Sequence, residues 1–395
     1  MTSSAFSPSP RPYPNVSTGT MFNDFYNAKR VLVTGHTGFK GGWLSLWLKQ
    51  LGARVWGYSL PAPTQPSFYE VIRSLAFAGD VLGDIRNLDL LAATVREAEP
   101  DLVFHLAAQP LVRRSYAEPL ETVQTNILGT AHLLEAVRRA QLPCPVVLIT
   151  SDKCYENREW EFAYRENDPM GGHDVYSMSK GATELLAAAW NKSFFRPDPK
   201  LGPLATVRAG NVIGGGDYAE DRLVPDCMRA LAAKKPILIR NPGAVRPWQH
   251  VLECLSGYLW LGARLSAAGK QSPLASGFNF GPGPAARHTV REVVDEVLKN
   301  WPGQWVDGSQ VERPTEALSN EMLPHEANLL VLAIDKACAL LDWRPVWDFP
   351  QAIRHTVAWY EARHAAANAD MAGFSLRQIE TYTASAREQG LAWAK

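Results

Sequence analysis

Polar and titratable side chains come directly after one apolar run of this chain. The β-branched and apolar run at 145–149 predicts a buried strand. Three polar residues follow it: Ser151, Asp152 and Lys153. Two more, four positions apart, share one face of a predicted helix: Tyr176 and Lys180. An ammonium group beside a phenol favours the phenolate, which accepts a proton. Together these residues predict a site for proton transfer, whereas a Tyr-Lys pair alone is also typical of a solvated helix face.

A glycine-rich turn near the start of the chain predicts a partner for this chemistry. The apolar run at 31–33 indicates a buried strand, and a helix is predicted from Trp43. Three glycines lie between them at three-residue spacing: Gly35, Gly38 and Gly41. A strand, a glycine turn and a helix present free backbone N–H groups to a pyrophosphate. The pattern therefore favours a dinucleotide site, although its spacing differs from the common GxGxxG fingerprint and also fits a bare turn.

The next predicted strand, at 54–60, leaves the type of dinucleotide open. In this fold the strand usually ends in an acidic residue that binds the ribose hydroxyls of NAD. Here Ser59 stands near that end, and no arginine follows at once to bind the 2′-phosphate of NADP. A serine hydroxyl can also bond a ribose, so the residues alone do not separate the two cofactors.

Composition bounds the class of protein. The chain has 395 residues, enough for two lobes, and its 40 basic residues balance its 40 acidic ones. This balance argues against nucleic acid as a partner. The 5 cysteines are widely spaced, without a CxxC pair, which argues against a zinc site or a disulfide framework and favours a reducing cytoplasm. No apolar run is long enough to cross a membrane. Residues 1–26 are predicted to be a flexible tail rather than a signal peptide.

Four motifs carry a resemblance to a known family. They are Thr-Gly-His-Thr-Gly-Phe-Lys-Gly at 34–41, Thr-Ser-Asp-Lys-Cys-Tyr at 150–155, Tyr-Ser-Met-Ser-Lys at 176–180 and Arg-Pro-Trp-Gln-His-Val at 246–251. Taken together they resemble the extended short-chain dehydrogenase/reductase family. Among its nucleotide-sugar dehydratases and epimerases, the chain resembles the CDP-glucose 4,6-dehydratase branch, which has Asp-Lys where other dehydratases have Asp-Glu.

The resemblance implies an α/β fold with a Rossmann-type doubly wound parallel sheet and a smaller α/β C-terminal lobe for the substrate. The implied NAD-binding domain covers residues 27–210, with a return segment near 245–265. The substrate lobe then covers 211–244 and 266–395. The residues implied to bind NAD are Gly35, Thr37, Gly38, Phe39, Lys40, Gly41, Ser59, Asp84, Ile85, Leu106, Ala107, Ala108, Gln109, Asn126, Tyr176 and Lys180. Those implied to bind the substrate are Asn211, Arg222 and Arg246.

The implied activity is a 4,6-dehydration of CDP-glucose in deoxysugar biosynthesis, with transient hydride transfer from C4 to NAD and on to C6. Tyr176, helped by Ser151 and Lys180, would remove the C4 hydroxyl proton, and Asp152 would protonate the leaving C6 hydroxyl. The base that acts on C5 stays open, because a lysine is a base only when neutral. A neutral Lys153 or a nearby tyrosine such as Tyr155 would serve.

Two alternatives remain at this point. One is an epimerase or 4-ketoreductase of the same family, and the other is a non-catalytic binding protein on the same fold. The resemblance also implies a homodimer or homotetramer, in which the helices that carry Asn126 and Tyr176 pair with their mates. Neither a metal nor a membrane is expected as a partner.

Overall fold

The computed structural model describes residues 21–75, 77–283, 286–308, 329–366 and 368–395. The strands are β1 (Arg30–Thr34), β2 (Arg54–Ser59), β3 (Gly79–Leu82), β4 (Leu102–His105), β5 (Val146–Ile149), β6 (Leu204–Arg208), β7 (Val212–Ile213), β8 (Ile237–Ile239), β9 (Val245–Arg246), β10 (Gln249–His250), β11 (Gly277–Asn279), β12 (His288–Thr289) and β13 (Trp305–Asp307). The helices are α1 (Phe39–Gln50), α2 (Phe68–Ile72), α3 (Leu88–Ala98), α4 (Val112–Ala117), α5 (Pro119–Val123), α6 (Gly129–Ala140), α7 (Val175–Trp190), α8 (Leu223–Ala232), α9 (Val251–Ala267), α10 (Val290–Asn300), α11 (Asp335–Leu341), α12 (Phe349–Ala365) and α13 (Met371–Glu388).

A parallel sheet of seven strands forms the centre of the described molecule. Its order is β11-β6-β5-β4-β1-β2-β3, and every neighbouring pair is parallel. Strands β1, β4 and β5 are buried almost throughout, as expected for strands covered on both faces. The order reverses between β1 and β4, and ligands bind at such a switch point, outside the carboxyl ends of the strands. The predicted doubly wound α/β fold is confirmed.

Helices cover both faces of this sheet. Apolar residues of α3, α6 and α7 form one core with one face, whereas α1, α9, α12 and α13 belong to the core on the other. The chain between α5 and α6 runs through one π-helical turn at Gln124–Leu128, and Asn126 lies inside it. Such turns occur often at functional sites because they re-aim side chains within a helix. Helix α1 begins at Phe39 rather than at the predicted Trp43, so Gly41 lies inside its first turn.

The short strands of the C-terminal half pair away from the central sheet. Strand β10 pairs with β7, β12 with β9 and β13 with β8. Helices α8, α10 and α12 pack together beside these pairs. Within the described residues, none of the helices is both long and apolar enough to span a bilayer.

The predicted tail is wrong for residues 21–26. Phe22 and Tyr26 are buried, at 0% and 1% exposure. The Phe22 ring stacks on Trp393 with a centroid distance of 5.2 Å, and the Tyr26 hydroxyl donates to the carbonyl of Leu259 at 2.6 Å. These aromatic side chains complete the core on the face of α1, so burial of apolar surface holds the segment in place. Residues 1–20 lie outside the described residues.

The assignment of all of 266–395 to the substrate lobe is also wrong. Strand β11 extends the central sheet beside β6. Helix α13 packs on α1, where Trp47 lies 5.9 Å from Tyr382 and 6.1 Å from Trp393 between ring centroids. The end of the chain therefore returns to the nucleotide-binding half and stabilises the helix that follows the glycine turn.

Candidate active site

The glycine turn after β1 is held close to the end of β4. Gly35 has φ +77°, and a Cβ there would lie 2.7 Å from the backbone nitrogen of Ala107. A Cβ on Gly41 would lie 2.1 Å from the Gly35 oxygen. At Gly38, by contrast, a Cβ would meet one atom within 4 Å among the described residues beyond its adjoining chain, that same oxygen at 3.4 Å. The turn is thus closed on two sides and open at Gly38, and the first turn of α1 supplies N–H groups without intrahelical partners. This arrangement suits a pyrophosphate.

Two hydroxyl groups meet where the ribose of a dinucleotide is expected. The Thr37 hydroxyl donates to the carbonyl of Leu60 at 2.8 Å. Its Oγ1 also lies 2.8 Å from Ser59 Oγ, so Ser59 is the donor in that second bond. The Ser59 oxygen keeps lone pairs for a ligand hydroxyl. Ser59 is the last residue of β2, which is the position that the sequence predicted.

Asp84, one of the residues implied to bind NAD, already has a partner that the sequence did not reveal. Both carboxylate oxygens of Asp84 accept from the Arg86 guanidinium, at 3.0 and 2.5 Å. The hydrogen bonds from Arg86 hold the pKa of Asp84 below its usual range. The next residue, Ile85, is 4% exposed and packs beneath Gly129 of α6. A ligand amino group would have to share Asp84 with Arg86.

The segment after β4, Leu106–Gln109, is fixed by Asn126. The Asn126 amide accepts from the Gln109 N–H at 2.8 Å and donates to the Gln109 carbonyl at 3.1 Å. It also donates to Ser179 Oγ at 2.9 Å, which ties the segment to α7. The two amide hydrogens are therefore used within the protein. These bonds give Asn126 a positioning role, and its contact with the cofactor remains a prediction.

The polar residues after β5 lie against Tyr176 on α7. Ser151 Oγ donates to Asp152 Oδ1 at 2.8 Å and accepts from the Lys153 N–H at 3.2 Å. Ser151 also acts on Tyr176 of α7, since hydrogen bonding from this hydroxyl lowers the pKa of the phenol. Asp152 packs against Gly210, where a Cβ would come within 1.9 Å of Oδ2. The fold therefore brings together the residues that the two separate motifs predicted.

Electrostatics at Tyr176 and Lys180 oppose ionisation of both side chains. Burial is the main reason that the pKa of Tyr176 is raised to about 12, and the negative charge of Asp152 raises this pKa further. Hydrogen bonding from Ser151 and the positive charge of Arg222 lower the pKa of Tyr176 in part. Burial lowers the pKa of Lys180 to about 8, and the nearby ammonium of Lys40 acts in the same direction. Among the described residues, Lys180 has neither a hydrogen bond nor an ion pair. Its buried ammonium is therefore available to a cofactor.

Lys153 and Tyr155 differ in their access to a substrate. Lys153 is partly exposed and lines a small, partly open cavity. The other lining residues are Tyr155, Asn157, Gly172, His173, Asp174, Ser177 and Leu330. The Tyr155 hydroxyl, however, donates to Asn279 Oδ1 at 2.8 Å and accepts from Arg208 at 2.5 Å. Burial also raises the pKa of Tyr155. These partners and this burial argue against Tyr155 as the C5 base, and a neutral Lys153 in that role remains a prediction.

A buried ion pair supports the site and was missed in the sequence. Glu184, one helical turn after Lys180, pairs with Arg208 at 2.8 Å, and each side chain is 5% exposed. Its carboxylate also accepts from Thr150 at 2.5 Å and from Thr206 at 2.6 Å. These bonds join α7 to the ends of β5 and β6, so they fix Lys180 relative to Ser151. The only sequence signal was a glutamate on the Tyr-Lys face of the helix, a pattern that exposed helices share.

The three predicted substrate residues do not all converge. Asn211, with φ +49°, places Nδ2 3.5 Å from Asp152 Oδ2. Arg222 pairs with Asp217 at 2.8 Å, and its charge acts on Tyr176. Arg246 lies on β9 and donates to the carbonyl of Val245 at 2.8 Å. Asn211 and Arg222 are thus at the catalytic centre, whereas the contact between Arg246 and the substrate remains a prediction.

Comparisons with known proteins agree with this geometry. A sequence model of the GDP-mannose 4,6-dehydratase family matches residues 32–356. The chain is 47% identical over 364 residues to the CDP-glucose 4,6-dehydratase of Salmonella typhimurium, covering 91% of this chain and 97% of that protein.

Solved structures share the fold. The epimerase Mth375 of Methanothermobacter thermautotrophicus has a TM-score of 0.71 at 24% identity, covering 88% of this chain and 97% of that one. A double mutant of the dTDP-glucose 4,6-dehydratase DesIV of Streptomyces venezuelae, with NAD bound, has a TM-score of 0.68 at 23% identity and covers 85% and 98%. The family resemblance that the motifs predicted is confirmed.

Proposed function

The chain belongs to the GDP-mannose 4,6-dehydratase family, and we propose that it converts CDP-D-glucose to CDP-4-dehydro-6-deoxy-D-glucose and water. The observation that carries this proposal is the grouping of Ser151, Asp152 and Lys153 beside Tyr176. An epimerase moves a proton and a hydride at C4 only. A dehydratase also needs an acid for the C6 hydroxyl and a base for the C5 proton, and Asp152 and Lys153 supply groups for both.

The cofactor is NAD, and the residues of the site fit it. When bound, the nicotinamide accepts hydride from C4 and returns it to C6, so the cofactor ends as it began. The open turn at Gly38 and the N-terminus of α1 would hold the pyrophosphate. Thr37 and Ser59 would meet the adenosine ribose, and the unpartnered ammonium of Lys180 would meet the nicotinamide half.

Each catalytic side chain has one task in this reaction. Tyr176 takes the proton of the C4 hydroxyl, with Ser151 and Arg222 favouring its ionised form. Oxidation at C4 acidifies the C5 proton, which Lys153 removes and later returns. Asp152 protonates the C6 hydroxyl so that it leaves as water. Asn211 and Arg246 would bind the diphosphate, for which a guanidinium fork is well suited.

Incubation of the purified protein with CDP-glucose and catalytic NAD should yield a product lighter by one water. We expect no net change at the NADH absorption band, because the cofactor is regenerated. Mass spectrometry of parallel reactions with UDP-, dTDP- and GDP-glucose measures the preference for the base, and the similarity to the Salmonella protein favours CDP. Continuous oxidation of added NADPH with reduction of a keto-sugar, and no loss of water, would instead identify a 4-ketoreductase.

Exposed apolar side chains support a homodimer. Four of them lie on α5, the π-helical turn and α7, with exposures of 38–74%: Leu120, Leu128, Met178 and Leu185. Helix α7 contacts both α5 and the π-helical turn, so these side chains lie on neighbouring elements. Apolar patches of this kind commonly mark association surfaces.

The five cysteines are all free, in keeping with the proposed cytoplasmic location.

Leu185→Glu should convert this dimer to a monomer, because a carboxylate would be buried opposite its own copy. Light scattering at micromolar concentration measures the mass. Leu238→Glu is the matched control, since Leu238 is 52% exposed on β8, outside the α5–α7 surface. A wild-type protein of monomer mass would contradict the proposal, as would equal masses for wild type and Leu185→Glu.

A further inference from the structure

The two oxygens of the Asp152 carboxylate are held in different ways. Under the proposed function, on which this inference rests, this residue must present a proton to the C6 hydroxyl. Its Oδ1 accepts from Ser151 Oγ at 2.8 Å, which leaves Oδ2 as the oxygen to carry that proton. Oδ2 lies against Gly210, where a Cβ would come within 1.9 Å of it, and 3.5 Å from Asn211 Nδ2. The position of the acidic proton therefore depends on the turn formed by Gly210 and Asn211.

This turn has a backbone conformation that needs support. Asn211 has φ +49°, in the left-handed region that residues other than glycine seldom adopt. Such a backbone persists where its surroundings hold it. Both carbonyl groups of the turn accept hydrogen bonds from Gln249 of β10: the side-chain Nε2 donates to the Gly210 oxygen at 3.1 Å, and the backbone N–H donates to the Asn211 oxygen at 3.2 Å. One residue therefore fixes the whole turn.

The Gln249 side chain also connects the turn to the end of β11. Its Nε2 donates to the carbonyl of Phe280 at 3.2 Å, directly after that strand. Both of its neighbours are carbonyl oxygens, so the amide nitrogen and not the amide oxygen must face them. Strand β10 itself pairs with β7, which begins directly after the turn. The motif at 246–251 thus contributes a residue that joins three segments beside Asp152.

The burial of Gln249 favours a role in geometry. The side chain is 2% exposed, and among the described residues its Oε1 has no hydrogen-bond partner. A buried amide oxygen without a donor is unfavourable, and an apolar side chain of similar size would avoid that cost. Such a side chain, however, would leave the carbonyls of Gly210 and Phe280 unpaired and the turn free to shift. The amide fixes the turn at the expense of one unsatisfied oxygen.

We propose that Gln249 is a positioning residue for the acid Asp152. Through Gly210 and Asn211 it holds Oδ2 at the place from which the proton reaches the C6 hydroxyl. Gln249 acts on the reaction through this turn and not by contact with the sugar. Its effect is therefore confined to the loss of water and spares the oxidation at C4, in which Asp152 takes no part.

Gln249→Met tests this role, because methionine keeps the size of the side chain and removes its two donors. In a single turnover with CDP-glucose, reduced nicotinamide should form at a rate close to that of wild type. Loss of water should be about 10²-fold slower, the order of effect expected when a catalytic group moves by about 1 Å. Stopped-flow absorbance at the NADH band and mass spectrometry of quenched samples separate the two steps. Gln249→Asn, whose amide is one carbon shorter, should show the same division of the reaction.

Gln378→Met is the matched control. Gln378 lies on α13 and is 5% exposed, and its Nε2 donates to the carbonyl of His355 at 2.6 Å. Its Oε1, like that of Gln249, has no partner within the described part of the chain. The control therefore removes a buried amide of the same kind outside the turn that contacts Asp152. It should form reduced nicotinamide and lose water at the wild-type rates, and thermal unfolding reports the stability of both variants.

A second readout depends on the acid itself. Asp152→Asn already lacks the dissociable proton, so loss of water is slow in this variant. Addition of Gln249→Met should slow it no further, because the group that Gln249 positions no longer acts as an acid. A defect that is only structural would instead add to the defect of Asp152→Asn.

Four results would overturn the positioning role. They are wild-type rates in Gln249→Met, an equal slowing of nicotinamide reduction and water loss in that variant, a further loss in the double variant, and failure of both Gln249 variants to fold while Gln378→Met folds. A wild-type protein that releases no dehydrated product would refute the proposed function. Turnover by wild type together with any of the four results would refute the positioning role alone.

Discussion

Tyr176→Phe should lower the rate of CDP-glucose dehydration by about 10²–10⁴-fold, the usual cost of losing a catalytic base. The hydroxyl is the only atom group removed, and it is the group that receives the C4 proton. The ring remains, so the packing around this residue, 7% exposed, is kept. Binding of NAD should change little, because the glycine turn and Lys180 are untouched.

Mass spectrometry of the product and titration of NAD binding check both parts of this expectation. Tyr116→Phe is a suitable control, because Tyr116 is 46% exposed on α4 and is not one of the predicted site residues. A Tyr176→Phe variant that keeps more than about a tenth of the wild-type rate would assign the base to another residue. Loss of NAD binding would instead indicate a structural role for the phenol.

The parts of the site that the sequence predicted well are local in the chain. The turn at 35–41 follows β1 and runs into α1, so the spacing of its glycines reflects the local backbone conformation alone. Tyr176 and Lys180 share one turn of α7, and their relation follows from the helical repeat. Their position opposite Ser151 could also be expected, because the carboxyl ends of parallel strands lie on one edge of a sheet.

The features that the sequence did not reveal depend on contacts between distant segments. Phe22 is buried because Trp393, at the other end of the chain, stacks on it. Strand β11 joins the sheet through β6, although it follows a long excursion through the smaller lobe. Neither pairing leaves a pattern in the neighbouring sequence. At Phe22, for example, apolar residues next to a Ser- and Pro-rich segment are compatible with a tail as well as with a core.

Two side chains at the site illustrate the same limit. Tyr155 stands beside the catalytic motif in sequence, yet its hydroxyl is taken by Asn279 and Arg208. Glu184 has no motif, yet it joins α7 to β5 and β6. Adjacency in sequence predicts proximity to a site, whereas the partners that use up a polar group are set by the tertiary structure.

Because Asn279 and Arg208 occupy the Tyr155 hydroxyl, Lys153 is the proposed base for the C5 proton. Lys153→Met should therefore stop the reaction after oxidation at C4. Oxidation at C4 depends on Tyr176, Ser151 and Lys180, which the substitution leaves in place. Removal of the C5 proton should fall by about 10²–10⁴-fold, and loss of water with it. We therefore expect reduced nicotinamide to build up in a single turnover and dehydrated product to form slowly. In deuterated water, exchange at C5 of the 4-keto intermediate should be lost.

Lys153→Arg separates a base from a mere positive charge at this position. Arginine keeps the charge and the length but is not deprotonated in proteins. If Lys153 is the base, the arginine variant should accumulate reduced nicotinamide and lose C5 exchange to the same extent as the methionine variant. If the residue only stabilises the developing enolate by its charge, arginine should restore most of the exchange. Stopped-flow absorbance at the NADH band, read beside deuterium incorporation at C5, decides between the two roles, and exchange at the wild-type rate in both variants would exclude Lys153 from the step.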